Sequence, residues 1–362
     1  GKKIGVKDSC ITLNLNNTDQ YSNCHIAVAG NSGTGKTQFA LQFLKEVSTG
    51  SNDQINFIYL DFKGLKKEDL KYYKPFFEQT NCNFIDVPTS QFPLNPLTFI
   101  DNINEVNKQM GIDKFVDIVC KYSNLGPKQK GQLRTAVIES FHDQKGGDYP
   151  SIEQINQKLL EQVGDKRDTL TEIMDDLSRF KVFKNDHKNK SNFINSITYL
   201  ALSGVLSNTV RFTSLCLIIN NLYIVFMNWE YTPVEHSMKG MRYVILIDEA
   251  HVIFKERKYQ DILEKMLREI RSKGVSVVLL SQGIEEFNQP SFDFSSMCEI
   301  AFLLEIKNKT NLKMIGKFLG FSEKENKPIV KSMESIKTGQ AISNIKEFEK
   351  GKLFELMQFK DY

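Results

Sequence analysis

Short apolar runs alternate with stretches of helical periodicity along much of the chain. The runs are rich in Val, Ile, Leu and Phe, as in strands that are buried on both faces of a parallel sheet. They predict strands at 24–29, 56–64, 82–87, 196–202, 242–251 and 275–282. Between them, residues 37–47 and 261–271 have the periodicity of amphipathic helices. This alternation indicates an α/β domain with a mostly parallel central sheet.

The N-terminal part of the chain has a weaker pattern. Apolar and polar residues alternate in part over residues 4–20, at Ile4, Val6, Ile11, Leu13 and Leu15. We expect short strands here, packed on the edge of the same domain.

Residues 101–190 differ from their surroundings because they show helical periodicity without strand-like runs. Phe115, Ile118 and Val119 share one helix face, and Ser151 has the sequence context of a helix start. We therefore predict a helical insertion. It divides the chain into a first core part (1–100), the insertion (101–190) and a second core part (191–362).

Composition limits the class of protein. The 362 residues are 41% hydrophobic and 25% charged, which excludes a disordered chain and fits a globular protein. Six cysteines occur without C-x-x-C spacing, so neither a zinc site nor a disulfide framework is expected, and a reducing cytoplasm fits. The net charge of +3 does not by itself indicate nucleic acid. An Asn pair at the centre of the longest apolar stretch, 215–227, favours a buried helix over a membrane span.

A phosphate-binding loop follows the first predicted buried strand. The sequence matches G-x-x-x-x-G-K-[ST] and is flanked by a strand and a helix, as the motif requires. Its glycines let backbone N–H groups surround a β-phosphate, and the helix N-terminus adds partial positive charge. Lys36 is expected to reach the β- and γ-phosphates, and Thr37 to place its hydroxyl on Mg²⁺. The predicted nucleotide-binding residues are Gly30, Asn31, Ser32, Gly33, Thr34, Gly35, Lys36, Thr37 and Gln38.

The strand at 242–251 carries two adjacent carboxylates at its end, as a Walker B strand does. Asp248 is expected to hold the Mg²⁺ ion, directly or through water. Glu249 is placed to polarise the attacking water, which separates hydrolysing ATPases from P-loop kinases and many GTPases. Gln282 ends the next strand and can contact the γ-phosphate, although a strand-end Gln exposed to water stays an alternative. For His251 we favour a structural or coupling role over metal ligation.

Together these residues resemble the HerA/FtsK branch of P-loop ATPases, which also contains conjugative and pilus-type motors. The resemblance rests on the P-loop, on Leu94-Asn95-Pro96-Leu97, on residues 247–251, on residues 268–275 running into Ser281-Gln282, and on Thr338-Gly339-Gln340-Ala341-Ile342. It covers the chain in order except for 101–190. It implies a RecA-like P-loop NTPase of the additional-strand catalytic glutamate class.

The resemblance also implies a hexameric ring that hydrolyses ATP with Mg²⁺ and translocates double-stranded DNA as a translocase or helicase. In such a ring Arg271, and with it Arg268, would act as an arginine finger on the ATP of a neighbouring subunit. A planar guanidinium matches the charge of a transferring phosphoryl group better than an ammonium does. The chain has only eight arginines among its 47 basic residues, so two at this position stand out. Cations that complement a helix C-terminus are the alternative.

Other functions stay open or are disfavoured. HerA-type translocases usually carry an N-terminal β-barrel, so we expect an excised motor domain or a variant. A bacterial DNA-processing or anti-phage system would be a fitting context. The alternative is a regulatory ATPase scaffold that switches a partner nuclease or other effector without translocating DNA. An ABC-type ATPase is disfavoured because Leu202-Ser203-Gly204 lacks the Gly-Gln that would complete that signature.

Overall fold

The computed structural model describes residues 1–6, 9–51, 55–66, 68–185, 193–202, 204–255, 257–322 and 326–359. The strands are β1 (Lys2–Lys3), β2 (Ile26–Ala29), β3 (Asn56–Asp61), β4 (Asn83–Val87), β5 (Thr198–Leu202), β6 (Val234–Glu235), β7 (Met238–Lys239), β8 (Tyr243–Asp248), β9 (Val275–Ser281), β10 (Ile300–Leu303), β11 (Gln340–Ser343) and β12 (Phe354–Glu355). The helices are α1 (Lys36–Gly50), α2 (Leu70–Thr80), α3 (Glu105–Tyr122), α4 (Pro127–His142), α5 (Ile152–Val163), α6 (Thr169–Arg179), α7 (Asn208–Met227), α8 (His251–Phe254), α9 (Arg257–Glu269), α10 (Leu312–Leu319) and α11 (Asn326–Ser335).

The chain forms two units. Unit 1 consists of Gly1–Asp61, Lys66–Asn83 and Trp229–Tyr362, and unit 2 of Phe62–Leu65 and Phe84–Asn228. These bounds differ from the predicted division at 100 and 190, which stays a prediction. The predicted boundary at 190 and Ser203 both lie outside the described residues.

Unit 1 is built on a sheet whose strands follow the order β1-β12-β11-β10-β2-β9-β8-β3. The five strands from β10 to β3 run parallel, and β11, β12 and β1 add an antiparallel edge. One strand, β9, therefore lies between the strand that precedes the P-loop and the strand that carries Asp248. This additional strand confirms the predicted fold class.

The parallel strands form the core of unit 1. Every residue of β2 and β9 is buried, as expected for strands covered on both faces. Helix α1 also contributes buried apolar residues to this core, among them Ala40, Leu41 and Leu44. A core of this kind holds the carboxyl ends of β2, β8 and β9 at one edge of the sheet.

The prediction of strands over residues 4–20 is wrong. Among residues 1–6 and 9–20, which the structure describes here, only Lys2–Lys3 forms a strand, and Asn17 makes an isolated bridge to Met238. The backbone donors of this stretch pair singly with scattered partners: Ile11 N–H donates to the Gly1 carbonyl at 2.7 Å, and Asn14 N–H to Glu347 Oε1 at 2.9 Å. The described residues of this stretch meet single partners instead of a row on a neighbouring strand, so partial alternation alone does not produce a strand here.

Unit 2 contains the predicted helical region. The described part of residues 101–185 forms α3 to α6 and no strand. Side-chain caps define the helix starts: Asn104 accepts from Asn107 N–H, and Ser151 and Asp168 form capping boxes with Gln154 and Thr171. Helix α7 and strands β4 and β5 complete this unit. The helix predicted to begin at Ser151 is confirmed.

Helix α7 is the long apolar helix. Its mean hydropathy of 1.6 over 18 residues would allow it to cross a membrane by length and composition, but 78% of that window is buried inside the protein. At its centre, Asn221 Nδ2 donates to the carbonyls of Pro96 (3.1 Å) and Leu217 (3.2 Å). The Asn pair noted in the sequence thus belongs to a packed core helix.

Candidate active site

The P-loop starts where β2 ends, and both neighbouring strands anchor it. Gly30 N–H donates to the carbonyl of Ser281 at the end of β9 (3.2 Å), and Asn31 N–H to the carbonyl of Glu305 after β10 (2.7 Å). A Cβ at Gly30 would lie 2.7 Å from Leu304 Cβ, closer than real contacts allow. Glycine is therefore required at the first position of the motif.

The loop turns through its other two glycines. Gly33 and Gly35 have φ angles of 81° and 101°, which side-chain-bearing residues rarely adopt. Ser32 and Gly33 are exposed at the tip, whereas Thr34 is buried and donates its hydroxyl to the Asn31 carbonyl at 2.8 Å. Gly35 is the N-cap of α1. The glycine backbone and the Thr34 hydroxyl thus shape the turn of the loop.

The remaining motif residues lie in the first turn of α1. The ammonium of Lys36 donates to the carbonyls of Gly30 and Asn31, which closes the loop on itself. Thr37 and Gln38 follow it on the helix. The structure therefore brings all nine predicted nucleotide-binding residues into one loop and helix start, and their roles stay predictions.

Asp248 ends β8 at the same edge of the sheet. Its Oδ2 accepts from the Tyr59 hydroxyl on the neighbouring strand β3 (2.7 Å), and its Oδ1 from Glu249 N–H (2.8 Å). Burial raises the pKa of this carboxyl, against the lowering effect of the Tyr59 hydrogen bond. A nearby cation would stabilise the charged form of this buried carboxylate, as the predicted metal role requires.

Glu249 is held in an unusual backbone conformation. Its φ angle is 54°, in the left-handed region, where a residue other than glycine costs on the order of 1–3 kcal/mol. Its carboxylate accepts from Gln282 Nε2 at 3.1 and 3.3 Å, and His251 Nδ1 lies 3.1 Å from Oε2. The contact with His251 is the main cause that lowers the pKa of Glu249, so the group is a charged base at neutral pH.

A second carboxylate, from Glu286, organises the end of β9. Its Oε2 accepts from the Ser281 hydroxyl, from Gln282 N–H (3.1 Å) and from Gly283 N–H (3.4 Å). The same oxygen lies 3.8 Å from His251 Nδ1. Glu286 therefore fixes the backbone from which the Gln282 side chain reaches Glu249.

Arg268 and Arg271 lie elsewhere in unit 1. Arg271 sits in a 3₁₀ turn, Ile270–Lys273, just before β9 begins. Because β9 is parallel to β2 and seven residues long, this turn is about 20 Å from the edge that carries the P-loop. Both arginines are exposed, and Arg268 pairs with Glu264 Oε1 at 2.9 Å. The structure does not bring them to the phosphate site of the same chain.

Sequence reasoning did not identify Tyr59 or Glu286. Tyr59 lies inside an apolar strand, where a tyrosine is ordinary, and only the pairing of β3 with β8 shows its partner. Glu286 could have been noticed as a carboxylate four residues beyond Gln282, since a short turn after a strand often returns a side chain to the strand end.

A protein-family model described as an AAA-like domain matches residues 13–344. No curated protein sequence matches the chain. Among solved structures, VirB4 of Thermoanaerobacter pseudethanolicus superposes with a TM-score of 0.63 at 14% identity, covering 93% of this chain and 89% of that chain.

The bacterial conjugative coupling protein TrwB is similar as well. Its unbound form, without its first 70 residues, gives a TM-score of 0.58 at 11% identity, covering 93% of this chain and 86% of that chain. A complex of TrwB with the non-hydrolysable GTP analogue GDPNP gives 0.57 at 11% identity, with 100% and 90% covered. At these identities the likeness establishes a shared RecA-like P-loop fold.

Proposed function

Because the chain belongs to the AAA-like domain family and is a HerA/FtsK-type P-loop ATPase, we propose that it hydrolyses ATP as a subunit of a DNA-translocating ring. The observation that carries this proposal is the position of Glu249. It follows Asp248 at the P-loop edge of the sheet. Gln282, directly after β9, the strand between β2 and β8, donates to its carboxylate. A charged carboxylate beside a phosphate loop is the arrangement that activates water for phosphoryl transfer.

In this mechanism the P-loop amides and Lys36 bind the β- and γ-phosphates. Glu249 orients a water molecule, which attacks the γ-phosphorus, and accepts a proton from it as the bond to the ADP oxygen breaks. Gln282 already bonds to Glu249 and is placed to exchange that carboxylate for a γ-phosphate oxygen. Its movement would report hydrolysis to the rest of β9.

The residues fit a Mg²⁺ ion. Each oxygen of Asp248 accepts one hydrogen bond, which leaves lone pairs for a cation, and Thr37 supplies a hydroxyl in the first turn of α1. Among the described residues no group of three or more His, Cys, Asp or Glu forms a metal cage, so the nucleotide phosphates would complete the coordination. When bound, Mg²⁺ neutralises charge on the phosphates.

The position of Arg271 supports assembly into a homo-oligomer, for which we propose a hexameric ring. An arginine about 20 Å from the P-loop edge cannot reach its own phosphate, since its side chain spans roughly 7 Å. In the proposed ring it would act on the phosphate of a neighbouring copy. We assign Arg271 this role, with Arg268 on the same exposed surface.

Apolar side chains near Arg271 support the same assembly. Tyr231, Val234 and Met238 are 72%, 53% and 38% exposed on and beside the β6–β7 hairpin. The hairpin region is bound to the Arg271 turn: Thr232 N–H donates to the Ser272 carbonyl at 3.1 Å, and the Lys273 ammonium lies 3.9 Å from the Tyr231 ring centre. A fixed tyrosine among exposed apolar groups is typical of an interface.

The test is ATPase activity measured over a range of protein concentrations, with and without double-stranded DNA. We expect a rate per subunit that rises with concentration and with DNA, because the active site is complete only between two copies. Arg271→Ala should lower kcat by at least about 100-fold. Arg179→Ala removes an exposed arginine of unit 2 and serves as the control, with an unchanged rate.

A rate that is independent of both DNA and Arg271 would contradict the ring translocase. It would favour the second candidate, a regulatory ATPase scaffold that switches a nuclease or another effector. One surface of unit 2 favours that function: Ile103, Val106 and Met110, spaced at one face of the α3 start, are 95%, 70% and 66% exposed. Added effector protein would then stimulate hydrolysis, and Val106→Asp would abolish that stimulation.

A further inference from the structure

The C-terminal stretch of the described chain crosses the P-loop. Gly339 N–H donates to the Thr34 carbonyl, and Phe359 N–H to the Gln38 carbonyl, both at 3.1 Å. Within the stretch, Leu356 N–H donates to the Gly339 carbonyl at 2.9 Å. Gly339, just before β11, and the segment after β12 are therefore fixed against the loop and the first turn of α1.

Gln358 lies in the centre of this crossing. A Cβ at Gly35 would lie only 2.5 Å from its Nε2, and a Cβ at Gly339 only 3.0 Å from the same atom. Both glycines have positive φ angles, of 101° and 81°. The missing side chains at these two positions leave the space in which the Gln358 amide lies.

Among the described residues, two residues that take part in this crossing each have a side-chain amide atom without a hydrogen bond. Within the described residues, Gln358 Nε2 and Gln38 Oε1 are both buried without a partner. One is a donor and the other an acceptor. A buried polar group without a partner costs about 1–3 kcal/mol, and these two amide atoms, which lie beside the P-loop and α1, can each form a hydrogen bond with a ligand.

The sheet order shows which end of a nucleotide would lie here. Asp248, Glu249 and Gln282 follow β8 and β9, on one side of β2, and mark the γ-phosphate end. The crossing is made by residues that flank β11 and β12, and both strands lie on the other side of β2. With the β-phosphate inside the loop, the α-phosphate and nucleoside extend away from the carboxylates. That direction leads toward Gln38 and Gln358.

We propose that Gln358, together with Gln38, contacts the nucleoside part of ATP. A primary amide both donates and accepts, which matches ribose hydroxyls and the polar edge of a base. Gln358 thereby determines how strongly the site distinguishes a nucleotide from a bare polyphosphate. The proposal rests on the ATP-binding function of the P-loop and is independent of DNA.

The test compares two ligands, MgATP and inorganic tripolyphosphate with Mg²⁺, by calorimetry on the full chain. Gln358→Ala should weaken ATP binding about tenfold, equivalent to one lost hydrogen bond, and leave tripolyphosphate binding within twofold. Gln38→Ala should show the same selective loss. Met357→Ala, a change at the exposed neighbouring residue, is the matched control and should leave both affinities unchanged.

Unchanged ATP affinity in Gln358→Ala would overturn the proposal. Equal weakening of both ligands would overturn it too, because Gln358 would then only support the loop. Comparing ATP with 2′-deoxy-ATP in the parent shows whether the ribose or the base is the partner, and either result fits the proposal if selectivity over tripolyphosphate is lost in the variant. If Gln358→Ala weakens ATP binding selectively but DNA does not stimulate the ATPase, the translocase function is wrong and the nucleoside contact stands.

Discussion

The two ends of the nucleotide site differ in how the chain builds them. At the proposed γ-phosphate end, Asp248 and Glu249 are adjacent in sequence and Gln282 directly follows the neighbouring strand, so short motifs supply most of the chemistry. At the nucleoside end, Gln358 reaches the P-loop only through the antiparallel return of β11 and β12. The difference separates the groups that we propose for catalysis, which the strand ends position, from those that we propose for recognition, which depend on long-range pairing.

The two ends also differ in how their side chains are paired. The Glu249 carboxylate accepts from Gln282 Nε2 and lies 3.1 Å from His251 Nδ1, and Glu286 accepts from Gln282 N–H. The amide atoms Gln358 Nε2 and Gln38 Oε1 have no partner among the described residues. We therefore expect substitutions at the first end to change kcat, and substitutions at the second end to change nucleotide affinity.

The largest effect should come from Glu249→Gln. The amide keeps the shape of the side chain but cannot accept a proton from water, so kcat should fall by about 100- to 1,000-fold. ATP affinity should stay within about threefold of the parent, because Lys36 and the loop amides are untouched. Rapid-quench kinetics and equilibrium ATP binding measure the two quantities separately.

The control for this change is Glu334→Gln, at an exposed residue of α11 that should alter neither value. A loss of ATP affinity as large as the loss of kcat would break the comparison, since it would give Glu249 a binding role.

A smaller effect is expected for Glu286→Gln. The carboxylate accepts from two backbone N–H groups and a hydroxyl, and an amide oxygen is a weaker acceptor without charge. With Gln282 less firmly held, kcat should fall about tenfold while the Kd of ATP changes less than twofold. Steady-state kinetics with ATP titration would show this split.

Glu285→Gln, one residue away and exposed, is the matched control for Glu286 and should behave as the parent. Glu286→Asp keeps the charge and should recover part of the activity. An equal loss in both kcat and ATP affinity, with no recovery by Asp, would mean that Glu286 only stabilises the turn.

Much of the fold was predictable because its strands are apolar on both faces. The apolar run of β2 is followed by a glycine loop, that of β8 ends in two carboxylates, and that of β9 is followed by a glutamine. These local signals suffice to place the P-loop edge of the sheet. The additional-strand class followed from the resemblance, and the position of β9 between β2 and β8 confirms it.

The sequence was less informative where structure depends on distant pairing. Residues 4–20 alternate in part, yet their N–H groups find single partners such as Gly1 and Glu347, which no local pattern encodes. Strands β10 and β12 were not predicted, and with them the crossing over the P-loop. Tyr59 and Gln358 were missed for the same reason: each acts on a residue that sheet pairing brings beside it.

A substitution at a third position, in the sheet that supports both ends of the site, should change stability alone. His25 is fully buried at the start of β2. Its Nδ1 accepts from Val277 N–H at 3.0 Å, so Nε2 carries the hydrogen and donates to the Leu267 carbonyl, also at 3.0 Å. Burial lowers the pKa of His25 to about 4, because a second ring proton would face the Val277 N–H and leave a buried charge.

The folded-state pKa lies below the ordinary value of about 6.5, so acid favours the unfolded chain, which takes up the proton first. This contribution is absent above pH 7, grows as the pH falls below 6.5, and levels off below pH 4. Between pH 7.5 and 5.5 it should lower the free energy of unfolding by about 1 kcal/mol, and in His25→Gln this component should vanish.

Urea denaturation at both pH values measures the difference, and the imidazole carbon shifts of His25 should stay those of a neutral ring down to pH 5. If the His25 imidazole instead titrated near pH 6.5, the buried start of β2 would admit charge and water. The sheet would then not hold the two ends of the site rigidly. At acid pH, substitutions at either end should then change both kcat and ATP affinity.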